Sequence, residues 1–463
     1  MAYQMDASLT EGPIGKKLVL FALPLLMGNV LQSLNGTINA IWVGSYLGES
    51  AFAATSNANN IMFFLLSLVF GIGMASTILI GQSVGAKDEV QAKRVVGTSA
   101  LFFLALSLVI TAIGLFFSPA ILRGMNTPHD AMEFATAYLR IIFIGLPFMY
   151  GYNFIMMIMR GAGDARTPFY FLLISTFLDI VLNPLFIFGL GPVPALGISG
   201  SAVATVIAQF VSLACLIWFL YRKKHYLRIT REDVPYLRFD KQIIASLVKK
   251  GIPMGLQMLI VSTSAIAVIN LVNSYGSVAT AAFGAAMQLS SYVQMPAMAI
   301  GGAVSTLAAQ NVGAGKWDRV HKTTIMGIVI NFCMTGVLVA LIYLFNKQAL
   351  GLFLKDPSAV AIGMRINFIT LWAFILFGIT FVVSGVVRAT GAVMIPLLTT
   401  FLALWCIRIP LSYYLSSHYG LDAVWWSFPV GFTVAIVLSI CYYVWGNWKQ
   451  AKMLGSNQAQ AAR

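Results

Sequence analysis

The 463-residue chain is 59% hydrophobic and only 10% charged, with a mean hydropathy of +0.85 and a formal charge of +14. A soluble globular domain carries roughly 25% charged residues, so this composition excludes an ordinary soluble fold and points to a polytopic membrane protein. The surplus of Lys and Arg invites a nucleic-acid reading, but its distribution argues against one, because the basic residues lie between apolar segments and form no contiguous, aromatic-interleaved face.

The apolar residues run in long blocks. Leu18 to Val43, Val96 to Phe117, Phe169 to Leu190 and Val424 to Tyr443 are each long enough to cross a hydrocarbon core as helix. In chain order the predicted spans are 17–43, 52–82, 96–117, 133–157, 167–190, 196–221, 247–273, 280–311, 322–345, 361–386, 393–416 and 422–446. The fold class is therefore an all-α membrane protein with twelve transmembrane helices. The first run follows Lys16 and Lys17, is too long for a signal-peptide core and lacks a small-residue cleavage site, so it reads as the first span. Cys215, Cys333, Cys406 and Cys441 lie inside apolar segments without a CxxC pairing and read as small core residues.

The loops alternate in charge. Lys16, Lys17, Lys87, Lys93, Arg94, Arg160, Arg166, Lys316, Arg319, Lys322, Arg388, Lys449 and Lys452 fall on one side, together with the basic connector after span six. The other side offers Arg123, Lys347 and Lys355. The positive-inside rule then puts both termini in the cytoplasm.

The chain also repeats. Gly81-Gln-Ser-Val-Gly-Ala86 matches Ala309-Gln-Asn-Val-Gly-Ala314 at an offset of 228 (310 − 82), and Arg160-Gly-Ala-Gly163 matches Arg388-Ala-Thr-Gly391 at the same offset (388 − 160). Pro24 and Pro253 open the first span of each half. Six spans per half is an even number, so the halves run parallel and a pseudo-twofold axis lies along the membrane normal. Secondary transporters use such repeats, with the substrate site between the halves. The expected division is a six-helix lobe over 1–221, a basic linker over 222–246 that lets the lobes rock, a second six-helix lobe over 247–446 and a cytoplasmic tail over 447–463.

Polar residues at membrane depth need a reason, since an ionisable group there costs roughly 2.5–3.5 kcal/mol. Most acids sit in loops or at span ends. Asp179 lies midway along the fifth span, with Asn183 one turn on and on the same face. Pro184 removes a backbone donor beside them. A carboxylate, an amide oxygen and a freed carbonyl suit a proton or a hard cation such as sodium; the alternative is a buried Asp that packs helices together. Gln32, Asn35 and Asn39 form a polar stripe on the first span, and packing or cavity lining explains it equally well. Arg408 is deep in its span, where either a carbonyl partner or a place in a cavity fits. Gln32, Asn35, Asn153, Gln257, Gln288 and Arg408 are the candidates for lining a substrate cavity. His129, His225, His321 and His418 all fall in loops or at span ends, so no cluster for membrane-embedded catalysis forms. No charged ring or filter repeat suggests a channel.

Several of these segments carry a resemblance. Asn39-Ala-Ile-Trp-Val-Gly44, Gly81-Gln-Ser-Val-Gly-Ala86, Arg160-Gly-Ala-Gly-Asp-Ala-Arg-Thr-Pro168, Leu182-Asn-Pro-Leu-Phe186 and Gly197-Ile-Ser-Gly-Ser-Ala202 together resemble the multidrug and toxic compound extrusion transporters. The branch named for a DNA-damage-inducible bacterial member is the most similar. The resemblance implies two six-helix lobes in a bacterial inner membrane that export cationic, often aromatic, compounds in exchange for protons or sodium. It adds Thr205 to the polar cluster of Asn39, Asp179 and Asn183, as an ion-coupling set. That branch usually has Asp where this chain has Asn39, and often orders the fifth-span pair Asn then Asp. The glutamate of the other large bacterial branch falls near Val261 and is absent. The expected protein is thus a monomeric antiporter of small organic substrates in a lipid bilayer, without a cofactor or structural metal. A flippase for a lipid-linked precursor, or an exporter of one metabolite, is the alternative.

Overall fold

The computed structural model describes residues 8–47, 49–124, 127, 129–189 and 194–454. Residues 1–7 and the end of the expected tail, 455–463, lie outside the described residues. Long apolar runs in which backbone groups bond only to one another give long helices. In chain order these are α1 (Ile14–Leu47), α2 (Glu49–Gly85), α3 (Glu89–Gly124), α4 (His129–Gly161), α5 (Arg166–Phe188) and α6 (Ile198–Arg222). After the linker follow α7 (Lys241–Asn273), α8 (Ser277–Gly313), α9 (Trp317–Leu344), the short α10 (Asn346–Gly351), α11 (Pro357–Thr370) and α12 (Ala373–Thr390). The chain ends with α13 (Met394–Phe401), α14 (Ile409–Tyr419), α15 (Leu421–Val424) and α16 (Ser427–Trp445).

The expected spans map onto this order with three refinements. The tenth is built from α11 and α12, the eleventh from α13 and α14 joined by a π-helical stretch, Leu402–Arg408, and the twelfth from α15 and α16. Among the described residues, eleven segments are long and apolar enough to cross a membrane. The remaining span is α8, whose 37 residues match the 37 of α2 in length. α8 falls short in apolarity because it is rich in Ala, Gly, Ser and Gln. It packs against α9, α11 and α12, and a helix enclosed by helices needs small residues for close approach more than an apolar coat for lipid.

The chain divides into two compact units whose borders fall inside helices. One unit contains Met27–Gly251, the other Ser8–Leu26 with Ile252–Arg463. Each unit's first long helix thus begins in the other unit. The breaks lie beside Pro24 in α1 and Pro253 in α7, where the missing backbone donor weakens the helix. Backbone and side-chain bonds hold the early residues in the second unit. Asn311 Nδ2 donates to the Leu9 carbonyl at 3.3 Å, Lys316 Nζ to that of Thr10 at 3.1 Å and Arg319 Nη1 to that of Gly12 at 3.1 Å. In the first unit α7 crosses α2 at Gly251, where a Cβ would come within 2.6 Å of Ile72 Cα.

The linker is fastened to the N-terminal end of α3. Lys93 pairs with Asp233 at 3.0 Å, Arg94 with Asp240 at 2.6 Å, and Thr98 Oγ1 donates to the Arg238 carbonyl at 2.9 Å. Gly97 lets the strap lie flat, since a Cβ there would sit 2.4 Å from the Tyr236 oxygen. Burial alone would raise the Asp233 and Asp240 pKa values. Hydrogen bonds from Thr230 and Lys93 to the first, and from Arg94, Ile243 and Gln242 to the second, hold both below the usual 3.8.

His225, read from sequence as a loop residue, is buried at 2% exposure and accepts the Leu227 N–H on Nδ1. Burial pushes its pKa down from 6.5 to about 4, with Asp164 opposing in part. An unfolded linker takes up this proton as pH falls through 6.5, whereas the docked one does so only near 4. Docking stability is therefore full above about pH 6.5 and falls as pH drops towards 4, by up to roughly 3 kcal/mol. The two aspartates stay ionised through that window. Hydrogen exchange across the linker, corrected for intrinsic rate, should quicken below pH 6.5, and His225→Gln should remove that response. Equal protection at neutral and acidic pH would contradict the account.

Candidate functional site

The site is in the first unit, around α5. Asp179 and Asn183 are one helical turn apart and both buried, at 3% and 0% exposure. Asn183 Nδ2 donates to the Asp179 backbone carbonyl at 2.9 Å and to its Oδ1 at 3.2 Å. The next helix is drawn close by the absence of a side chain at Gly200, where a Cβ would lie 2.3 Å from the Phe186 carbonyl oxygen. The Leu196 N–H donates to that same oxygen at 2.9 Å. This close turn between α5 and α6 brings Thr205 opposite Asp179, and its Oγ1 donates to Oδ1 at 2.9 Å.

The first helix completes the ring. Asn35 Nδ2 and Asn39 Nδ2 both donate to Asp179 Oδ2, at 2.9 and 2.8 Å. Asn39 Oδ1 in turn accepts from Asn183 Nδ2 at 3.2 Å. Three helices thus meet on one carboxylate. With the amide nitrogens turned to Asp179, the amide oxygens are left over. Asn35 Oδ1 and Asn183 Oδ1 are buried without a hydrogen-bond partner. One carboxylate with surplus neutral oxygens is a donor set for a proton or a hard monovalent cation; divalent sites usually gather several carboxylates.

The four residues expected to share a pocket, Asn39, Asp179, Asn183 and Thr205, do come together, and Asn35 joins them. Tyr138 of α4 was missed. It is buried and within electrostatic reach of Asp179. A tyrosine in an apolar run has no pattern that marks it as part of a site.

The other cavity candidates are not gathered here. Gln32 is exposed, whereas Asn35 and Asn39 of the same helix reach Asp179. Asn153 is satisfied within α4, donating to the Met149 carbonyl at 2.8 Å. Gln288 donates to the Tyr292 hydroxyl one turn on, at 3.1 Å. Gln257 is held between Arg388 Nη1, at 2.8 Å, and Thr400 Oγ1, at 2.8 Å. Arg388, counted from sequence among the loop cations, is only 3% exposed because the end of α12 is covered. Arg408 is buried against Phe428.

The MatE family model matches residues 24–185 and 253–414, one block in each half of the repeat. The chain belongs to the MatE family. The probable multidrug resistance protein YoeA of Bacillus subtilis (strain 168) is 42% identical over 93% of this chain and 94% of its own length. A second protein of that organism, the probable multidrug resistance protein YpnP, is 33% identical over 96% of this chain and 98% of its own. The fold is shared with a solved outward-facing conformation of a multidrug resistance MATE family transporter, at a TM-score of 0.87 and 23% identity, covering 96% of this chain and 98% of that one. As a MatE protein the chain is a multi-pass membrane transporter and not an enzyme.

The geometry around Asp179 makes a stability prediction. Thr205→Val removes one bond to the carboxylate and leaves the shape, so it should cost about 1.5–3 kcal/mol. Gln32→Ala, on an exposed face, should stay within about 0.5 kcal/mol. Thermal unfolding of the purified variants, followed by tryptophan fluorescence, measures both; an equal effect from the two would contradict the assignment.

Proposed function

We propose that this MatE protein is an ion-coupled antiporter that exports amphipathic organic cations, with Asp179 as its coupling carboxylate. The observation that carries the reading is the convergence of Asn35, Asn39, Asn183 and Thr205 on that one buried acid. A buried carboxylate must be neutralised by a proton or by a cation, and here either finds acceptor oxygens beside it. Exchange of that proton or sodium ion for a cationic substrate, on alternate sides of the membrane, gives antiport. Neutralising Asp179 also weakens the bonds it accepts from Asn35 and Asn39. Occupancy of the site and the seating of α1 are therefore linked. The names of YoeA and YpnP support an export role against toxic compounds. The asymmetry of Lys and Arg supports a plasma-membrane protein with both termini in the cytoplasm. A monomer suffices, since the coupling group and its partners lie within one chain.

A one-for-one exchange of monovalent cations moves no net charge, so the ion's own gradient drives it, and a tenfold gradient supplies about 1.4 kcal/mol, enough for a substrate ratio near tenfold. Asp179→Asn keeps the shape but cannot ionise, and it exchanges one of the two acceptor oxygens for an N–H donor. In vesicles under an imposed proton or sodium gradient it should lose accumulation of a fluorescent cationic dye while retaining expression and dye binding. Asn39→Asp, which adds a carboxylate to the same ring, should keep more activity. A sodium gradient at constant pH, with a protonophore present, separates the two ions. Wild-type rate and gradient dependence in Asp179→Asn would overturn the coupling role.

A further inference from the structure

The second unit has the opposite polarity. Its buried charges, among the described residues, are two guanidinium groups, Arg388 and Arg408, at 3% and 6% exposure, and it has no buried carboxylate. Arg388 has a partner in Gln257. The Arg408 guanidinium makes no hydrogen bond or ion pair with any described residue, and its Nε is buried without an acceptor. Its guanidinium carbon lies 3.5 Å from the centre of the Phe428 ring and 5.8 Å from that of Phe432. Stacking on a ring offsets part of the cost of burying a cation, but it uses the flat face of the group. The N–H donors point outward in the guanidinium plane and are left over.

The backbone supports this placement. The π-helical stretch Leu402–Arg408 ends on Arg408 itself. A π turn takes in an extra residue, which rotates everything after it by about 100° relative to a continuous α-helix. Without it Arg408 would point away from Phe428. Across from it α16 has glycine, and a Cβ on Gly431 would sit 3.1 Å from Arg408 Cβ. A local departure from α-helix and a side-chain gap on the facing helix thus both serve one unpaired cation. Such π turns are frequent at functional sites.

We propose that Arg408 anchors an anion-binding site in the second unit, taking the carboxylate of an organic acid. A planar carboxylate accepts two parallel N–H bonds from a guanidinium edge. This site is independent of the coupling role of Asp179, which lies in the other unit and has the opposite charge.

Calorimetric titration of the full chain in lipid nanodiscs tests this, with naphthoate as the probe and naphthalenemethanol as its neutral counterpart. The wild type should bind naphthoate about tenfold more tightly than the alcohol. Arg408→Gln should abolish the difference. Arg408→Lys, which keeps the charge but not the two-pronged edge, should keep part of it and serves if the glutamine variant does not fold. Asp179→Asn should leave the preference intact, so failure here is distinguishable from failure of the coupling role. Equal binding of the two probes by the wild type, or a preference that survives Arg408→Gln, would overturn the proposal. Loss of naphthoate binding when gluconate is replaced by chloride would overturn the organic-acid assignment in favour of an inorganic anion.

Discussion

A carboxylate in an apolar helix bundle must have its charge answered, and Asp179 is answered by side chains from three helices. Donors from α1, α5 and α6 converge on its two oxygens. The cost of burying an ion, several kcal/mol when unpaired, is what makes this geometry specific. It fixes which face α1 turns to α5 and the depth at which α6 must begin. It also makes the lobe responsive, because adding a proton or a cation changes the one interaction on which those helices agree. The leftover oxygens of Asn35 and Asn183 give the arriving charge somewhere to bind.

The two units share helices as well as a repeat. Each one's first long helix starts in the other, and the change-over falls beside Pro24 in α1 and Pro253 in α7. A helix interrupted by proline can change direction at low cost, so these positions are where a strain on one part of the helix need not be carried into the rest. The linker reinforces the exchange. Its acids are clamped by Lys93 and Arg94, so the basic strap belongs to the first unit up to Gly251.

The halves have diverged in chemistry while the second helix of each keeps its length. α2 and α8 are both 37 residues long, yet α8 has traded lipid-compatible bulk for small residues and sits amid its neighbours. Around it the second unit is aromatic. Phe283 stacks on Trp425 at 5.4 Å, and Phe374 meets Phe432 at 5.2 Å. Against this wall lies Arg408, where the first unit has Asp179. One lobe is built to accept positive charge and the other holds it.

The sequence by itself determined the class, the span order and the repeat, because runs of about twenty apolar residues and motifs recurring at a fixed offset are local or periodic signals. It also singled out Asp179, Asn183 and Asn39, because polar residues at membrane depth are conspicuous wherever they point; Thr205 came from the family resemblance. It did not determine which polar residues meet. Gln32 and Asn35 stand on one helix with similar chemistry, yet only Asn35 reaches the carboxylate, since that depends on how α1 is rotated against α5. Arg388 looked like a loop cation and His225 like a loop histidine, and both are buried, because burial is decided by what covers a residue from elsewhere in the chain. The π turn before Arg408, the exchange of helix starts at Pro24 and Pro253, and the docking of the linker through Gly97 have the same origin. Each depends on contacts between segments far apart in sequence, and only tertiary packing brings those together.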